Sequence, residues 1–140
     1  MKNLRSILLA LTVLLLATAA QAQTTNVKAS IPFDFVVGDH AYSAGEYTIK
    51  SMSDNGLVIQ IGTSQQPAQG MALSNSCASN APAATTKLVF HRLGEHYFLY
   101  QAWTEGNNWG REFPMSKKEV QLAKNYSKPE LVIVAANISH

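Results

Sequence analysis

The stretch "EYTIKSMSDNGLVIQI", Glu46 to Ile61, contains two β-like runs joined by a turn. In the first run apolar Tyr47 and Ile49 alternate with polar residues, and this period of two is typical of a half-buried strand. Asn55 and Gly56 separate the two runs, and both residue types tolerate the positive φ that tight hairpin turns require. The pattern predicts a β-hairpin with Asn55 and Gly56 as its structural turn residues.

Similar β-rich runs recur along the rest of the chain. Ile31, Phe33, Phe35 and Val37 share one face of a predicted strand, in which Pro32 indicates an edge position or a bulge. "TKLVFHR" and "HYFLYQAW" are apolar on both faces, which favours central places in a sheet. With "GMALS" and "ELVIVAAN", about seven strands are expected. The predicted fold is all-β, an antiparallel β-sandwich or partly open barrel with one short helix near the C-terminus.

The helix is predicted within "PMSKKEVQLAK". Ser116 and Glu119 have the Ser-x-x-Glu spacing of a capping box, in which each side chain caps a backbone N–H of the first turn. Met115 and Val120 are spaced as a hydrophobic staple around that cap. Ser116 and Glu119 are therefore predicted to be structural residues.

The N-terminus has the features of a secretory signal peptide. Lys2 and Arg5 precede an apolar run, Ile7 to Leu16, and Ala20-Gln21-Ala22 is a small-x-small cleavage site. Residues 1–22 are predicted to be removed, leaving residues 23–140 as a single β domain that is periplasmic or extracellular. No membrane span is expected after cleavage.

Removal of the signal peptide also changes the charge balance. The chain has 11 Lys and Arg and 9 acidic residues, so loss of Lys2 and Arg5 leaves 9 of each and a net charge of zero. No basic face remains to bind nucleic acid. Cys77 is the one cysteine, so an internal disulfide is impossible. It is expected to be an unreactive loop thiol or, as the alternative, to form a disulfide between chains.

Two groups of polar residues are candidates for chemical sites. Asp34, Asp39, His40 and Glu46 lie within fourteen positions, but alternation and turn residues favour a hairpin or corner over a metal or catalytic site. His91 and His96 are weak metal candidates that become cross-strand neighbours only if Leu93-Gly94 forms a two-residue loop. Two ligands are too few for a firm zinc site, so no cofactor is predicted.

The aromatic residues provide a stronger binding hypothesis. Trp103 continues an apolar strand and is predicted to be core. Trp109 lies in the Gly-rich stretch "EGNNWGR", which predicts an exposed loop position. Trp109, Asn107, Asn108 and Arg111 are therefore the predicted ligand-binding residues, because aromatic faces beside amides and charges suit sugar rings.

Three blocks of the sequence resemble a family of small exported bacterial proteins of uncharacterised function. These blocks are "IPFDFVVGDHAYSAGEYTI", "KLVFHRLGEHYFLYQAWTEG" and "GREFPMSKKE". The family pattern is close to PFDF-x-VG…L-P-AG-x-Y, then YFL-x-x-x-W and GRELP-x-S-x-x-E, with Ser43 and Phe113 standing where Pro and Leu are more frequent. The resemblance implies an exported β domain and supplies no active site.

The leading functional hypothesis is a non-catalytic exported domain that binds a cell-envelope or extracellular ligand, such as an envelope glycan or protein. A close variant is a carbohydrate-binding module that uses Trp109. A second hypothesis is a metal-dependent enzyme around His91 and His96. A third is a structural, self-associating envelope subunit that uses the edge strand expected near Pro32.

Overall fold

The computed structural model describes residues 25–139. This part of the chain contains eleven β-strands and one α-helix. The strands are β1 (Asn26–Ile31), β2 (Phe35–Val37), β3 (His40–Tyr42), β4 (Gly45–Ser51), β5 (Val58–Gly62), β6 (Gly70–Leu73), β7 (Asn75–Ala78), β8 (Lys87–Leu93), β9 (His96–Trp103), β10 (Trp109–Glu112) and β11 (Glu130–Ile138). The helix, α1, spans Lys117–Ala123. The predicted signal peptide, residues 1–22, lies outside the described residues.

The predicted all-β class with one short helix is confirmed, but the expected number of about seven strands is wrong. The run predicted as one strand across Pro32 is two strands, since β1 ends at Ile31 and β2 begins at Phe35. The strands that were not predicted separately are short: β2 and β3 have three residues each, and β7 and β10 have four. Such short strands contain too few residues for alternation to be recognised in the sequence.

The strands form one nearly closed, barrel-like sheet. Its order is β3-β2-β9-β8-β11-β1-β4-β5-β6, and β10 pairs with both β7 and β9. Because β6 continues through Ser74 into β7, the chain itself connects the β5–β6 pair to the β7–β10–β9 part of the sheet. The pairs are antiparallel except for a short parallel contact between β2 and β9, at Val36 and Phe98.

Strand β1 is an interior strand, which overturns the expectation of an edge near Pro32. It pairs with β11 on one side and with β4 on the other. Pro32 follows the last residue of β1, where its missing N–H interrupts no ladder and the chain turns toward β2. In contrast, the predicted central position of β8 and β9 is confirmed.

The hairpin predicted around Asn55-Gly56 is confirmed between β4 and β5. Gly56 has a φ of 68°. Within the described chain positive φ occurs only at glycines, so Asn55 does not adopt the positive φ that tight hairpin turns require. Its side-chain Oδ1 accepts hydrogen bonds from the Leu57 N–H at 3.0 Å and the Ser53 hydroxyl at 2.8 Å. Asn55 therefore holds the turn through its side chain.

The barrel interior is filled by aliphatic and aromatic side chains from most strands. Phe35 contacts Tyr42 in a stacked arrangement and meets Phe90 edge-on, with ring centroids 5.2 and 5.7 Å apart. Leu93 and Phe98 are also buried but lie outside this main cluster. The burial of these large side chains is the principal favourable term for a domain that has no internal disulfide.

Helix α1 begins as predicted, with Ser116 as its N-cap, but the Glu119 side chain contacts His91 instead of the Ser116 N–H, so only half of the predicted capping box forms. The Ser116 Oγ accepts a hydrogen bond from the Glu119 N–H at 3.1 Å. Met115 and Val120 are both exposed, so the expected hydrophobic staple buries little apolar surface. Within residues 25–139, no helix combines the length and the apolar character needed to cross a membrane.

Candidate functional site

Trp109 is the most exposed large aromatic residue in the described chain, with 61% of its surface accessible. It is the first residue of β10 and pairs with Ala78 of β7, so its predicted exposure is confirmed and its predicted loop position is wrong. Gly110, the residue after Trp109, lies directly against the Trp103 ring. A Cβ atom at Gly110 would come within 2.7 Å of a ring carbon of Trp103. The backbone that carries Trp109 is thus held firmly against the sheet.

Trp103 is a packing residue, as predicted. Only 8% of its surface is accessible, and its indole Nε1 donates a hydrogen bond to the Gln101 Oε1 at 3.1 Å. It pairs with Gly110, whose lack of a side chain leaves room for the indole. The two tryptophans therefore have different positions: one supports β10 and the other projects from it.

Trp109 lines a cleft of about 450 Å³ near the ends of β1, β9 and β11. This volume lies within the range of small-molecule sites. Its walls combine an indole, hydroxyl groups, one amide side chain and one carboxylate. The lining residues are Thr25, Ser76, Ala102, Thr104, Glu105, Asn107, Trp109, Gly110, Arg111 and Ile138.

The turn between β9 and β10, Thr104–Asn108, forms one wall of the cleft and is fixed by its backbone. The Gly106 N–H donates to the Ala83 carbonyl at 2.9 Å, and the Ala83 N–H donates to the Asn107 carbonyl at 2.8 Å. Gly106 has a φ of 82°, a conformation that glycine adopts readily. These bonds tie the turn to the segment before β8, so the wall is preformed rather than a free loop.

One amide and one carboxylate side chain of this wall remain available to a ligand. Among the hydrogen bonds of the described residues, the side chains of Asn107 and Glu105 take part in none. Asn107 is half-buried and Glu105 is exposed, and both line the cleft with Trp109. Of the four predicted ligand-binding residues, Trp109, Asn107 and Arg111 line the cleft. Asn108 is exposed and does not line it.

Arg111 also lines the cleft, but its guanidinium group makes intramolecular contacts. Its Nη2 donates to the Ser74 carbonyl at 2.8 Å and its Nε donates to the Ser74 hydroxyl at 3.0 Å. A third bond of 3.3 Å reaches the Asn55 carbonyl. Burial lowers the pKa of Arg111 from its ordinary value. Arg111 therefore joins β10 to the bend at Ser74 and to the β4–β5 turn.

The acidic group near the start of the domain forms a structural corner. The Asp34 carboxylate accepts a hydrogen bond from the Ala44 N–H at 2.8 Å, and Glu46 pairs with Lys28 at 2.6 Å. Asp39 and His40 are exposed in the β2–β3 hairpin. Residues 25–139 contain no group of three or more His, Cys, Asp or Glu side chains placed to hold a metal ion.

The hairpin register separates the two candidate metal-binding histidines. The two-residue loop between β8 and β9 is Gly94-Glu95. This is one position later than the Leu93-Gly94 loop that would place His91 opposite His96. His91 therefore lies opposite Phe98, and His96 lies opposite Leu93. The predicted histidine pair does not form.

His91 instead contacts the helix through Glu119. Its Nδ1 lies 2.7 Å from the Glu119 Oε1, and its ring stacks on Tyr100 with centroids 3.9 Å apart. Glu119 is only 4% exposed, so His91 provides a polar partner for a buried carboxylate. Sequence reasoning identified Glu119 as a capping residue but missed this contact, because the two residues are 28 positions apart.

Cys77 lies in strand β7 opposite Gly110, which corrects the expected loop position. Cys77 is half-buried, and this burial is the main cause that raises the pKa of its thiol. The nearby Glu112 carboxylate raises the pKa further. Burial and Glu112 also raise the pKa of Tyr100. These conditions disfavour the thiolate, which is the reactive form of cysteine.

No family model, curated protein or solved structure was found to match the chain.

Proposed function

We propose that the chain is an exported, non-catalytic binding domain whose Trp109 cleft takes a saccharide of the cell envelope. The observation that carries this proposal is the position of an exposed indole and two uncommitted polar side chains, Asn107 and Glu105, in one preformed cleft. Export rests on the signal-peptide pattern of residues 1–22. The resemblance to a family of small exported bacterial proteins supports the same assignment.

The chemistry of the cleft is matched to a sugar ring. The apolar C–H face of a pyranose can stack on the Trp109 indole, which has a large apolar face. The ring hydroxyls can then bond to the Asn107 amide and the Glu105 carboxylate, which supply donors and acceptors together. Thr104 and Ser76 add hydroxyl groups to the same lining. A few convergent polar groups around an apolar surface are the usual composition of a ligand site.

The charged groups of the cleft favour binding over hydrolysis. Most glycoside hydrolases place a pair of carboxyl groups on either side of the scissile bond. Glu105 supplies one carboxylate to the described lining, and the other charged residue there, Arg111, bonds to Ser74 and Asn55. A single exposed carboxylate can accept hydrogen bonds from sugar hydroxyls without acting as one of such a pair.

The contribution of Trp109 to affinity can be estimated from its contact area. Burial of an aromatic side chain against a ligand contributes about 1.5–3 kcal/mol. Each 1.4 kcal/mol is a factor of about ten in the dissociation constant. Loss of the indole is therefore expected to weaken binding by about tenfold or more.

The proposal is tested by screening the mature protein against a glycan array that includes bacterial envelope polysaccharides. Affinities for any bound glycan are then measured by calorimetry for wild type, Trp109→Ala and Asn107→Ala. Tyr126→Ala is the matched control, because Tyr126 is also an exposed aromatic residue but lies after helix α1. Weaker binding by the two cleft variants alone supports the proposal. Absence of glycan binding, or equal loss in the control, contradicts it.

A further inference from the structure

Strand β6 has an apolar edge that is unpaired within the described chain. It pairs with β5 alone and stands at one end of the sheet order. Met71 and Leu73 project from the same face of this strand and are 60% and 62% exposed. An open edge beside large exposed apolar side chains is a site for association with another strand, and the four-residue length of β6 limits how many backbone hydrogen bonds it can offer.

The sequence around β6 contains none of the charges that usually protect such an edge. From Asn55 to Thr86 there is no Asp, Glu, Lys, Arg or His. Natural edge strands commonly carry charged residues, lysine above all, or a proline. Within β6 itself, Gly70 to Leu73, neither is present. Two copies of this strand can therefore approach each other without repulsion between like charges.

A groove lies directly beside the exposed face of β6. It measures about 500 Å³ and is bounded by the tip of the β2–β3 hairpin, Gly38–His40, and by the segment Phe113–Lys117. Exposed Met115 adds to its apolar lining. Each molecule therefore presents both a projecting apolar pair and an adjacent apolar depression.

We propose that two copies of the chain associate through β6 around a two-fold axis. The two strands run antiparallel, and Met71 and Leu73 of each copy enter the groove of the other. Such an isologous contact is self-complementary because the same patch serves both subunits. This inference is independent of saccharide binding, since none of the residues that line the Trp109 cleft lines this groove.

The size of the patch predicts a weak dimer. A stable interface of standard size buries roughly 800 Å² on each partner. The β6 patch offers two large projecting side chains and one four-residue strand, which is less than such an interface contains. We therefore expect dissociation constants in the range of roughly micromolar to hundreds of micromolar. Met71 and Leu73 are uncharged, and the groove that receives them is lined by one acidic residue, Asp39, and one lysine, Lys117. Because these charges have opposite signs, added salt should change the dissociation constant little.

The test is sedimentation velocity of the mature chain over roughly micromolar to millimolar concentrations. Wild type should form dimers as concentration rises, and Met71→Lys should raise the dissociation constant by more than about tenfold through like-charge repulsion. Ile133→Lys is the matched control. Ile133 is 62% exposed, but it pairs with Val89 of β8 and lines no part of the β6 groove. The control should dimerise like wild type, and melting curves check that both variants are folded.

A charge-swap experiment tests the two-fold geometry. An equimolar mixture of Met71→Lys and Met71→Glu should form a heterodimer, because the two copies then carry opposite instead of like charges across the interface. A wild type that stays monomeric throughout, an Ile133→Lys protein that dissociates as Met71→Lys does, or a mixture that fails to associate would each overturn the proposal. Glycan affinity of Met71→Lys should equal that of wild type, which keeps this test separate from that of the cleft.

Discussion

Replacement of Arg111 by alanine is expected to weaken the closure of the barrel. The guanidinium bonds twice to Ser74, at the bend where the chain leaves the β5–β6 pair and joins β10. Ser74 is 1% exposed, so water cannot readily replace the bond to its carbonyl. Its hydroxyl keeps one partner, the Gly56 carbonyl at 2.7 Å. The carbonyl of Ser74 is therefore the group that the substitution affects most.

The magnitude follows from the number and the surroundings of these bonds. Each of the two bonds to Ser74 is partly buried and contributes about 1–1.5 kcal/mol net. The bond to the Asn55 carbonyl is 3.3 Å long and exposed, so its contribution is small. Arg111→Ala should reduce the free energy of unfolding by about 2–3 kcal/mol, or the melting temperature by roughly 6–15 °C.

Urea denaturation and amide hydrogen exchange measure this effect. Protection should fall first in β6 and β7, while β8 and β9 should exchange as in wild type, because Arg111 supports only the bend. Arg111→Lys is the control: it keeps the charge but lacks the planar fork that reaches both Ser74 atoms, so an intermediate loss is expected. If Arg111→Ala unfolds within about 0.5 kcal/mol of wild type, the closure role is refuted.

Three further outcomes are expected. Trp103→Ala should cost about 3–5 kcal/mol, because it empties a buried site, whereas Trp109→Ala should cost much less; equal losses in denaturant melts would make Trp109 a packing residue. Ser116→Ala should cost about 0.5–2 kcal/mol by leaving the Glu119 N–H without its cap, and an unchanged urea midpoint would argue against that cap. Burial raises the pKa of Cys77 above its ordinary value, so the folded protein holds the thiol proton to higher pH than the unfolded chain does. Stability should therefore fall as pH rises past the unfolded thiol pKa, and iodoacetamide should react more slowly with folded than with urea-unfolded protein at pH 8, a result that equal rates would contradict.

Local patterns in the sequence were sufficient for the elements that depend on neighbouring residues. Asn55-Gly56 predicted the β4–β5 hairpin because its turn conformation and its side-chain bonds involve only nearby groups. Ser116 predicted the start of α1 for the same reason, since the cap it forms lies three residues away. The apolar run before Trp103 and the glycines around Trp109 also predicted that the first is buried and the second exposed. In each case the decisive interaction lies within a few positions along the chain.

Position within the sheet was not available from the same patterns. The residues on either side of Pro32 alternate as one strand, yet β1 and β2 join different parts of the sheet. A shift of one residue in the β8–β9 loop places His91 opposite Phe98 instead of His96. Side chains alternate with a period of two, so a shift of this size changes every cross-strand neighbour. The sequence alone left that register open.

The candidate site shows the same division. Composition indicated Trp109 and Asn107 as ligand-binding residues, and both line the cleft. The commitment of Arg111 to Ser74, 37 positions away, and the contact between His91 and Glu119, 28 positions away, depend on the closed sheet and on the docking of α1. The sequence by itself determined the β class, the hairpin turn and the helix cap, because these follow from short-range sterics and hydrogen bonds. Only the tertiary structure decided the barrel closure and the partners of Arg111 and Glu119, because such contacts form between segments that packing brings together from distant parts of the chain.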